Sequence, residues 1–252
     1  MLRTHSVAWR INPAITGLLA AVMLVSALTF NGANTAHAAP TIPAKSCFSG
    51  VYCAYHPQGS SGFPSDGTNT LVTVPIVQFI YGDLDGISFH AFLMDRYAQW
   101  IALEAGVVYG EFDYCGGQNF YWFPYGTKDD GETEVANCNL QLNYGGSYRV
   151  QAWSWNSQGH SAVLNSSGNT VWQYNWGNYG VPYGWNLTEA EVHANEGEPN
   201  LPSWSGYVDL FHSQYLDNND HWNYWGYTAT SNDCPYSAIY YSADAWQAAS
   251  SC

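Results

Sequence analysis

The chain has 252 residues, with 6 Lys or Arg, 20 Asp or Glu and a formal net charge of −14 when histidine is counted as neutral. This acidic balance excludes nucleic acid as a partner, because a negative surface repels phosphate backbones. The length is sufficient for one large hydrophobic core, so one main domain is expected.

The N-terminal segment has the pattern of a secretory signal peptide. Arg3 and Arg10 precede an apolar run over residues 14–30, and residues 36–38 have the small-x-small form that a signal peptidase recognises. The run is short for a membrane span, so we expect residues 1–38 to be removed and the mature chain to be secreted without a membrane anchor. Cleavage leaves 4 of the 6 basic residues against all 20 acidic ones. Such a surface is tolerable at low pH, where carboxylates protonate.

The six cysteines, an even number in a secreted chain, indicate disulfides rather than metal ligation or thiol catalysis. The first predicted disulfide closes a small loop within a predicted linker over residues 39–70. This linker is rich in Gly, Ser and Pro from residue 59 onward. The remainder, residues 71–252, is predicted to form the main domain. Sequential pairing is the simplest arrangement, and it joins Cys47 to Cys53, Cys115 to Cys138, and Cys234 to Cys252.

From residue 71 onward, short β-rich runs alternate with turn clusters, and no stretch keeps a helical period. A hairpin is predicted at residues 166–169, and residues 243–249 are expected to form a short helical turn. The fold class is therefore all-β, an antiparallel sandwich of the jelly-roll or concanavalin-like type that is stabilised by disulfides. The predicted strands are 71–81, 88–94, 99–109, 119–124, 148–156, 161–165, 170–176, 189–195 and 207–212.

The predicted strand 189–195 carries acidic residues in a chain that is otherwise poor in charge. Successive strand side chains point to opposite faces, so one face is shared by four polar residues, Glu189, Glu191, His193 and Asn195. The opposite face, with two Ala and one Val, suits packing on a second layer. The polar row either lines a cleft that could carry chemistry or is solvated surface.

Glu104 is the only charged residue in an otherwise apolar predicted strand, WIALEAGVV, over residues 100–108. Burial of a lone carboxylate is costly unless it is paired or protonated. Few partners with a permanent positive charge remain after signal cleavage, namely Lys45, Arg96, Lys128 and Arg149. A structural ion pair is therefore less favoured than a position in a cleft.

The chain is rich in aromatic residues, with 12 Trp and 20 Tyr. We expect several Trp to contact a sugar or an extended peptide, because even spacing puts two pairs of them each on one strand face. These are Trp122, Trp153 with Trp155, and Trp172 with Trp176. His193, beside Glu191, is expected at the same site. The alternative for any one Trp is burial in the core, where large rings are favourable.

Three stretches together resemble the pattern of secreted glutamic peptidases of the eqolisin type. They are WIALEAGVVYG, CGGQNFYWFPYG and EAEVHANEGEPNLPSWSGYVDLFHS, within about residues 90–212. The resemblance implies that Glu191, in the Ala-Glu pair, is the general base that activates water. Glu104 falls where the eqolisins have Gln, although the related neprosin-type peptidases use two glutamates on a similar sandwich. The resemblance implies an endopeptidase that acts on a polypeptide substrate through a Glu104/Glu191 dyad. Two carboxylates that face each other cannot both ionise cheaply, so the activity is expected in acid. The protein is expected to be a monomer.

Two other functions fit the same residues. A retaining glycoside hydrolase also uses two carboxylates, set beneath aromatic platforms for sugars. A lectin-like module that binds polysaccharide through surface Trp and Tyr needs no reaction at all. No cofactor is expected, and no metal is expected either, because the acidic clusters near residues 83, 129 and 217 lack the full spacing of a known calcium loop.

Overall fold

The structure is a computed structural model, and it describes residues 46–48, 52–80, 85–96, 101–110, 113–117, 119–129, 133–181, 183–195, 200–232 and 234–251. These residues belong to one compact unit. The predicted signal peptide, residues 1–38, lies outside the described residues. Among the described residues, no helix is long and apolar enough to cross a membrane.

The fold is all-β, as the sequence predicts, and the described residues contain only one short helical element, a 3-10 turn at Asp113–Cys115. The strands in chain order are β1 (Ser46–Phe48), β2 (Tyr52–Tyr55), β3 (Gln58–Ser65), β4 (Gly67–Thr73), β5 (Val77–Phe79), β6 (Gly86–Met94), β7 (Ile101–Gly110), β8 (Asn119–Lys128), β9 (Thr133–Ala136), β10 (Ser147–Trp155), β11 (Gln158–Asn165), β12 (Thr170–Asn175), β13 (Gly184–Asn195), β14 (Ser203–Trp204), β15 (Tyr207–Leu216), β16 (Trp222–Tyr224), β17 (Ala229–Ser231), β18 (Ser237–Ser242) and β19 (Ala245–Ala249).

Two large antiparallel sheets form the sandwich. The first sheet has the order β1-β2-β13-β6-β7-β8-β9, with β3 paired to β13 and β17 paired to β3. The second sheet has the order β12-β11-β10-β4-β15-β19-β18, with β16 paired to β15. The strands β5 and β14 form a separate small pair.

The core lies between the two sheets. The first sheet contributes buried residues such as Phe89 and Val192, and the second contributes Val150, Leu210 and Trp246. The alternation of side chains along a strand explains how the sheets form this core. In β10, buried and less buried residues alternate, so one face of the strand packs inward. Strand β6 is buried at every position and is therefore covered on both faces.

A buried hydrogen bond joins the two sheets behind the middle of β13. Trp246, on β19 of the second sheet, donates from its indole Nε1 to Thr188 Oγ1 on β13 at 2.8 Å. Gly59 lies beside Thr188 in the pairing of β3 with β13, and a Cβ there would lie 2.5 Å from the Trp246 ring. The missing side chain at Gly59 therefore lets the indole reach β13.

The region predicted as a linker is instead structured from residue 58 onward. Strand β3 belongs to the first sheet and β4 to the second, and both are largely buried. The small residues that suggested flexibility serve close packing, since a Cβ on Gly67 would lie 2.8 Å from Trp153 and 2.9 Å from Leu216. Strands of the two sheets, beginning with β1 and β2, therefore occur well before residue 71, where the main domain was expected to start.

Other predicted elements can be compared directly. The hairpin at residues 166–169 is confirmed by the pairing of β11 with β12. The expected helical turn near the C-terminus is wrong, because residues 245–249 form β19 between β15 and β18. The disulfide between Cys115 and Cys138 is confirmed, and Cys234 is also disulfide-bonded. The side chains of Cys47 and Cys53, and all of Cys252, lie outside what is described.

Candidate active site

Strand β13 carries a polar row on the face of the first sheet that points away from the second sheet. Its alternate residues Ala190, Val192 and Ala194 are buried in the core, as the sequence spacing predicts. In the pairing with the neighbouring strand β6, Glu189 lies opposite His90 and Glu191 lies opposite Ser88. The row therefore lies side by side with His90 and Ser88 of β6 on the same face of the sheet.

Glu104, on β7, lies on the same face, one strand further across the sheet. Its carboxylate accepts hydrogen bonds from the Tyr125 hydroxyl and from Thr127 Oγ1, the latter at 3.1 Å, and both donors lie on β8. Only 5% of the residue is exposed. The cleft position expected for Glu104 thus comes with specific hydrogen-bond donors, which offset the cost of burying a carboxylate.

His90 lies between Glu104 and the carboxylates of β13. Its Nδ1 is 3.0 Å from Glu104 Oε1 and 2.8 Å from the Tyr125 hydroxyl. Its Nε2 is 3.7 Å from Glu189 Oε2, which is too long for a hydrogen bond. His90 therefore connects the two groups of acids that the sequence analysis treated separately.

Gly106 provides the room for this arrangement. It lies opposite His90 in the pairing of β6 with β7. A Cβ at Gly106 would lie 2.5 Å from the Tyr125 ring and 2.6 Å from the His90 Cβ. Any side chain there would push apart the two residues that contact Glu104.

His56 completes the buried part of the cluster. The pairings of Tyr55 with Val192 and of Gln58 with Glu189 follow one register, which puts His56 beside Glu191. Its Nδ1 is 2.5 Å from Glu189 Oε1 and 3.9 Å from Glu191 Oε1. The carboxylate of Glu189, which is fully buried, thus has an imidazole on one oxygen.

Glu191 and His193 form the more open end of the row. His193 Nε2 is 2.8 Å from Glu191 Oε1, and the side chains are 32% and 24% exposed respectively. Because Glu104 and Glu189 are both buried, Glu191 is the carboxylate of this cluster that solvent reaches most readily. A substrate would meet Glu191 and His193 first.

The histidines and carboxylates stabilise each other's charged forms. Burial disfavours a charged His56, but the Glu189 carboxylate outweighs burial and raises the pKa of His56 to about 9. Burial would likewise raise the pKa of Glu189, yet the charge and hydrogen bond of His56 lower it. These two groups form a buried ion pair.

Burial and charged neighbours also act in opposite directions on the pKa values of His90 and Glu191, which lie beside the pair of His56 and Glu189. Burial opposes a charged His90, but Glu104 and then Glu189 raise the pKa of His90 well above its ordinary value. Burial would raise the pKa of Glu191. The charge and hydrogen bond of His193, and to a smaller extent the charge of His56, instead hold the pKa of Glu191 well below its usual range. Glu191 is therefore ionised, as a base that activates water must be.

The Trp residues predicted to contact substrate lie elsewhere. Trp122 is wholly buried in the core, where its Nε1 donates to the Pro75 carbonyl at 3.0 Å. The other four are on or next to strands of the second sheet. Trp176 is buried and Trp172 packs against the core, whereas Trp153 and Trp155 point outward, the latter 54% exposed.

Sequence reasoning brought Glu104, Glu191 and His193 to one face and missed most of what lies between them. Four further residues complete the cluster: His56, His90, Tyr125 and Glu189, the last placed in the row but given no role. His90 could have been found by the criterion that singled out Glu104, since it is the only ionisable residue in the apolar run GISFHAFLM. His56 could not, because its position depends on long-range strand register.

The fold resembles that of known glutamic peptidases. Scytalido-glutamic peptidase with a peptide-based transition-state analogue matches with a TM-score of 0.52 and 11% identity, over 80% of this chain and 98% of that chain. SCP-B, a member of the eqolisin family of peptidases in complex with the tripeptide Ala-Ile-His, matches with a TM-score of 0.51 and 12% identity, over the same shares of the two chains. No protein-family model and no curated protein sequence matches the chain. The chain therefore has an eqolisin-like fold, at identities that speak for the fold alone.

Proposed function

We propose that the protein is a secreted glutamic-type endopeptidase that hydrolyses polypeptides in acid. The observation that supports this most is the position of Glu191, an ionised and solvent-reached carboxylate in front of a buried cluster of two more carboxylates and two imidazoles. The eqolisin-like fold adds to it, because the compared structures are peptidases. A fold by itself does not determine an activity, which depends on the residues of the site.

In the proposed mechanism, Glu191 takes a proton from a water molecule, whose oxygen attacks the carbonyl carbon of the scissile peptide bond. To act as the acid, Glu104, whose carboxylate accepts from Tyr125 and Thr127 in the structure, takes up a proton in acid; it then donates this proton to the carbonyl oxygen, which becomes a hydroxyl in the tetrahedral intermediate. Collapse of the intermediate breaks the C–N bond, the leaving nitrogen takes the proton held by Glu191, and the hydroxyl returns its proton to Glu104. His56, His90 and Glu189 are positioning residues.

The composition supports activity in acid. The chain without its predicted signal peptide carries 20 acidic and 4 basic residues, so its surface repels itself strongly at neutral pH. Protonation of surface carboxylates in acid relieves this repulsion. The predicted signal peptide supports secretion of the protein.

The test is cleavage of casein at acid pH by the mature protein and by Glu191→Gln. We expect the variant to lose at least about 100-fold in rate, because general-base catalysis contributes that much or more. Asp209→Asn is the matched control, since Asp209 is a carboxylate on the second sheet that accepts a hydrogen bond from Gln247. Unaltered cleavage by Glu191→Gln, or no cleavage by the wild-type protein, contradicts the proposal.

A polysaccharide-directed function is the second candidate, and the outward Trp pair favours it. Trp153 and Trp155 present aromatic surface on the second sheet, at a distance from the carboxylate row on the first. This separation supports binding more than glycoside hydrolysis, which needs the rings beside the acids. Hydrolysis of xylan or glucan, or a polysaccharide pull-down that Trp155→Ala abolishes, would favour this candidate over the peptidase.

A further inference from the structure

Three side chains of the cluster, those of His90, Glu189 and Glu191, bring potential metal ligands together. One ligand atom from each lies within 4.8 Å of the others. Among the described residues, neither His90 Nε2 nor Glu189 Oε2 has a hydrogen-bond partner, and these two atoms, both on fully buried residues, lie 3.7 Å apart. A buried nitrogen and a buried carboxylate oxygen are costly to leave unpaired. A further atom bonded to both would remove that cost.

Each of the three side chains is also held in place by a contact with a neighbouring side chain. In each of them one polar atom contacts a neighbouring side chain, and in His90 and Glu189 the second atom is the one that has no hydrogen-bond partner among the described residues. The three supporting contacts are His90 Nδ1 to Glu104 Oε1 at 3.0 Å, Glu189 Oε1 to His56 Nδ1 at 2.5 Å, and Glu191 Oε1 to His193 Nε2 at 2.8 Å. Ligands held in this way by a second layer of hydrogen bonds are typical of metal sites.

We infer that His90, Glu189 and Glu191 bind one divalent transition-metal ion of the zinc type. One imidazole nitrogen and two carboxylate oxygens form a ligand set that zinc accepts, with water in a fourth position. Ligand atoms around a tetrahedral zinc lie roughly 3.4 Å apart. The 3.7 Å between His90 Nε2 and Glu189 Oε2 therefore needs little contraction. Calcium and magnesium prefer oxygen ligands throughout and do not suit the imidazole.

Charge and access favour the ion as well. The site brings Glu104, Glu189 and Glu191 close together, and binding of the ion exchanges one imidazole proton for a divalent charge. Glu104 keeps a proton on His90 Nδ1, so the metal displaces the proton from His90 Nε2 and binds that nitrogen. The ion can enter beside Glu191, whose side chain is 24% exposed.

The ion also has a consequence for the proposed peptidase. Coordination by Glu191 uses the carboxylate that would otherwise take a proton from water, so zinc inhibits hydrolysis. The inhibition rests on the proposed function, whereas the binding does not. Zinc in the medium would then keep the enzyme inactive until the ion is removed.

The experiment is calorimetric titration of the metal-free mature protein with Zn²⁺. We expect one ion per chain, and we expect Glu189→Gln and His90→Gln to weaken Kd by at least about 10-fold. His221→Ala is the matched control, because His221 is an exposed histidine beside a carboxylate, Asp217, and belongs to no cluster of this kind. A wild-type protein without saturable binding overturns the inference, and so does unchanged binding in Glu189→Gln.

A second measurement does not depend on variants that may lose their fold. Zinc K-edge absorption on the wild-type complex counts the imidazole ligands directly. One imidazole with oxygen neighbours supports the site, and two or more imidazoles, as from His56 and His193, contradict it. Ca²⁺ in place of Zn²⁺ is expected to show no comparable heat.

The two proposals fail in different ways. Zinc binding without casein cleavage at any zinc concentration leaves the metal site standing and removes the peptidase. Cleavage by the wild-type protein without zinc binding does the reverse. When both hold, added Zn²⁺ lowers the rate and a chelator restores it.

Discussion

The two sheets each contain a histidine with a buried ring nitrogen, and the pKa values of the two are shifted in opposite directions. His90, on the first sheet, contacts Glu104 and faces Glu189, and its pKa is raised. His160, on the second sheet, stacks on Trp153 at 4.9 Å between ring centres, and burial lowers its pKa. The same side chain thus favours its charged form in one sheet and its neutral form in the other.

The difference shows that carboxylate partners can outweigh burial: where they are present the pKa of the histidine rises, and where they are absent burial lowers it. His160 pairs across the sheet with Trp153 and Asn175, which are uncharged. Its Nε2 has no hydrogen-bond partner among the described residues. In the first sheet, every histidine of the cluster has a carboxylate within 3 Å. That sheet has the character of a reactive site and the second has that of a framework.

The largest expected effect on stability is the difference between replacing His90 and replacing His160. His90→Leu leaves Glu104 and Glu189 buried without the imidazole between them, so the free energy of unfolding should fall by about 3–5 kcal/mol. His160→Leu removes an unpaired buried nitrogen and should cost less than about 1 kcal/mol. Urea unfolding of both variants measures the difference. Equal losses would mean that the contrast between the sheets has no energetic meaning.

A smaller effect is expected from Gly106→Ala. The new methyl group would meet Tyr125 and His90 at 2.5 and 2.6 Å, so overpacking should cost about 1–3 kcal/mol and displace the donors to Glu104. Gly226→Ala is the matched control, since a Cβ there meets nothing within 4 Å. Thermal unfolding separates the two variants. Equal melting temperatures would show that the first sheet tolerates the extra group.

The smallest effect concerns pH. Because burial lowers the pKa of His160, the folded state binds fewer protons there than the unfolded chain, so this residue destabilises the fold as the pH drops below about 6.5. His160→Gln should therefore gain stability relative to the wild-type protein between about pH 7 and pH 5. His221→Gln, at a surface residue, should show no such gain. A parallel pH dependence of wild type and His160→Gln would remove the role given to burial.

Much of the fold could be predicted from local patterns. The alternation in β13 and the turn before β12 are properties of a few neighbouring residues, and both predictions were confirmed. The predicted linker was wrong because its glycines serve contacts with distant residues. Gly59 accommodates Trp246, which is almost two hundred positions away in the sequence.

The residues of the site also separate into those that could be predicted from local patterns and those that could not. Glu104 and the row on β13 stand out within their own strands, so sequence reasoning could find them. The role of His56 requires the register of β2 and β3 on β13, and the link through His90 requires the order of three strands in the sheet. Neither is encoded in local spacing. The outward position of Trp153 and the buried position of Trp176 likewise depend on which sheet covers them.

The hydrogen bond from Trp246 to Thr188 links the site to the order in which the chain is made. Thr188 precedes Glu189, so the acidic row is supported from behind by β19, a strand synthesised nearly sixty residues later. A chain still emerging from the ribosome would hold all of its carboxylates but lack this support. The packing of the acidic row on the second sheet is therefore complete only when β19, made nearly sixty residues after Thr188, is in place.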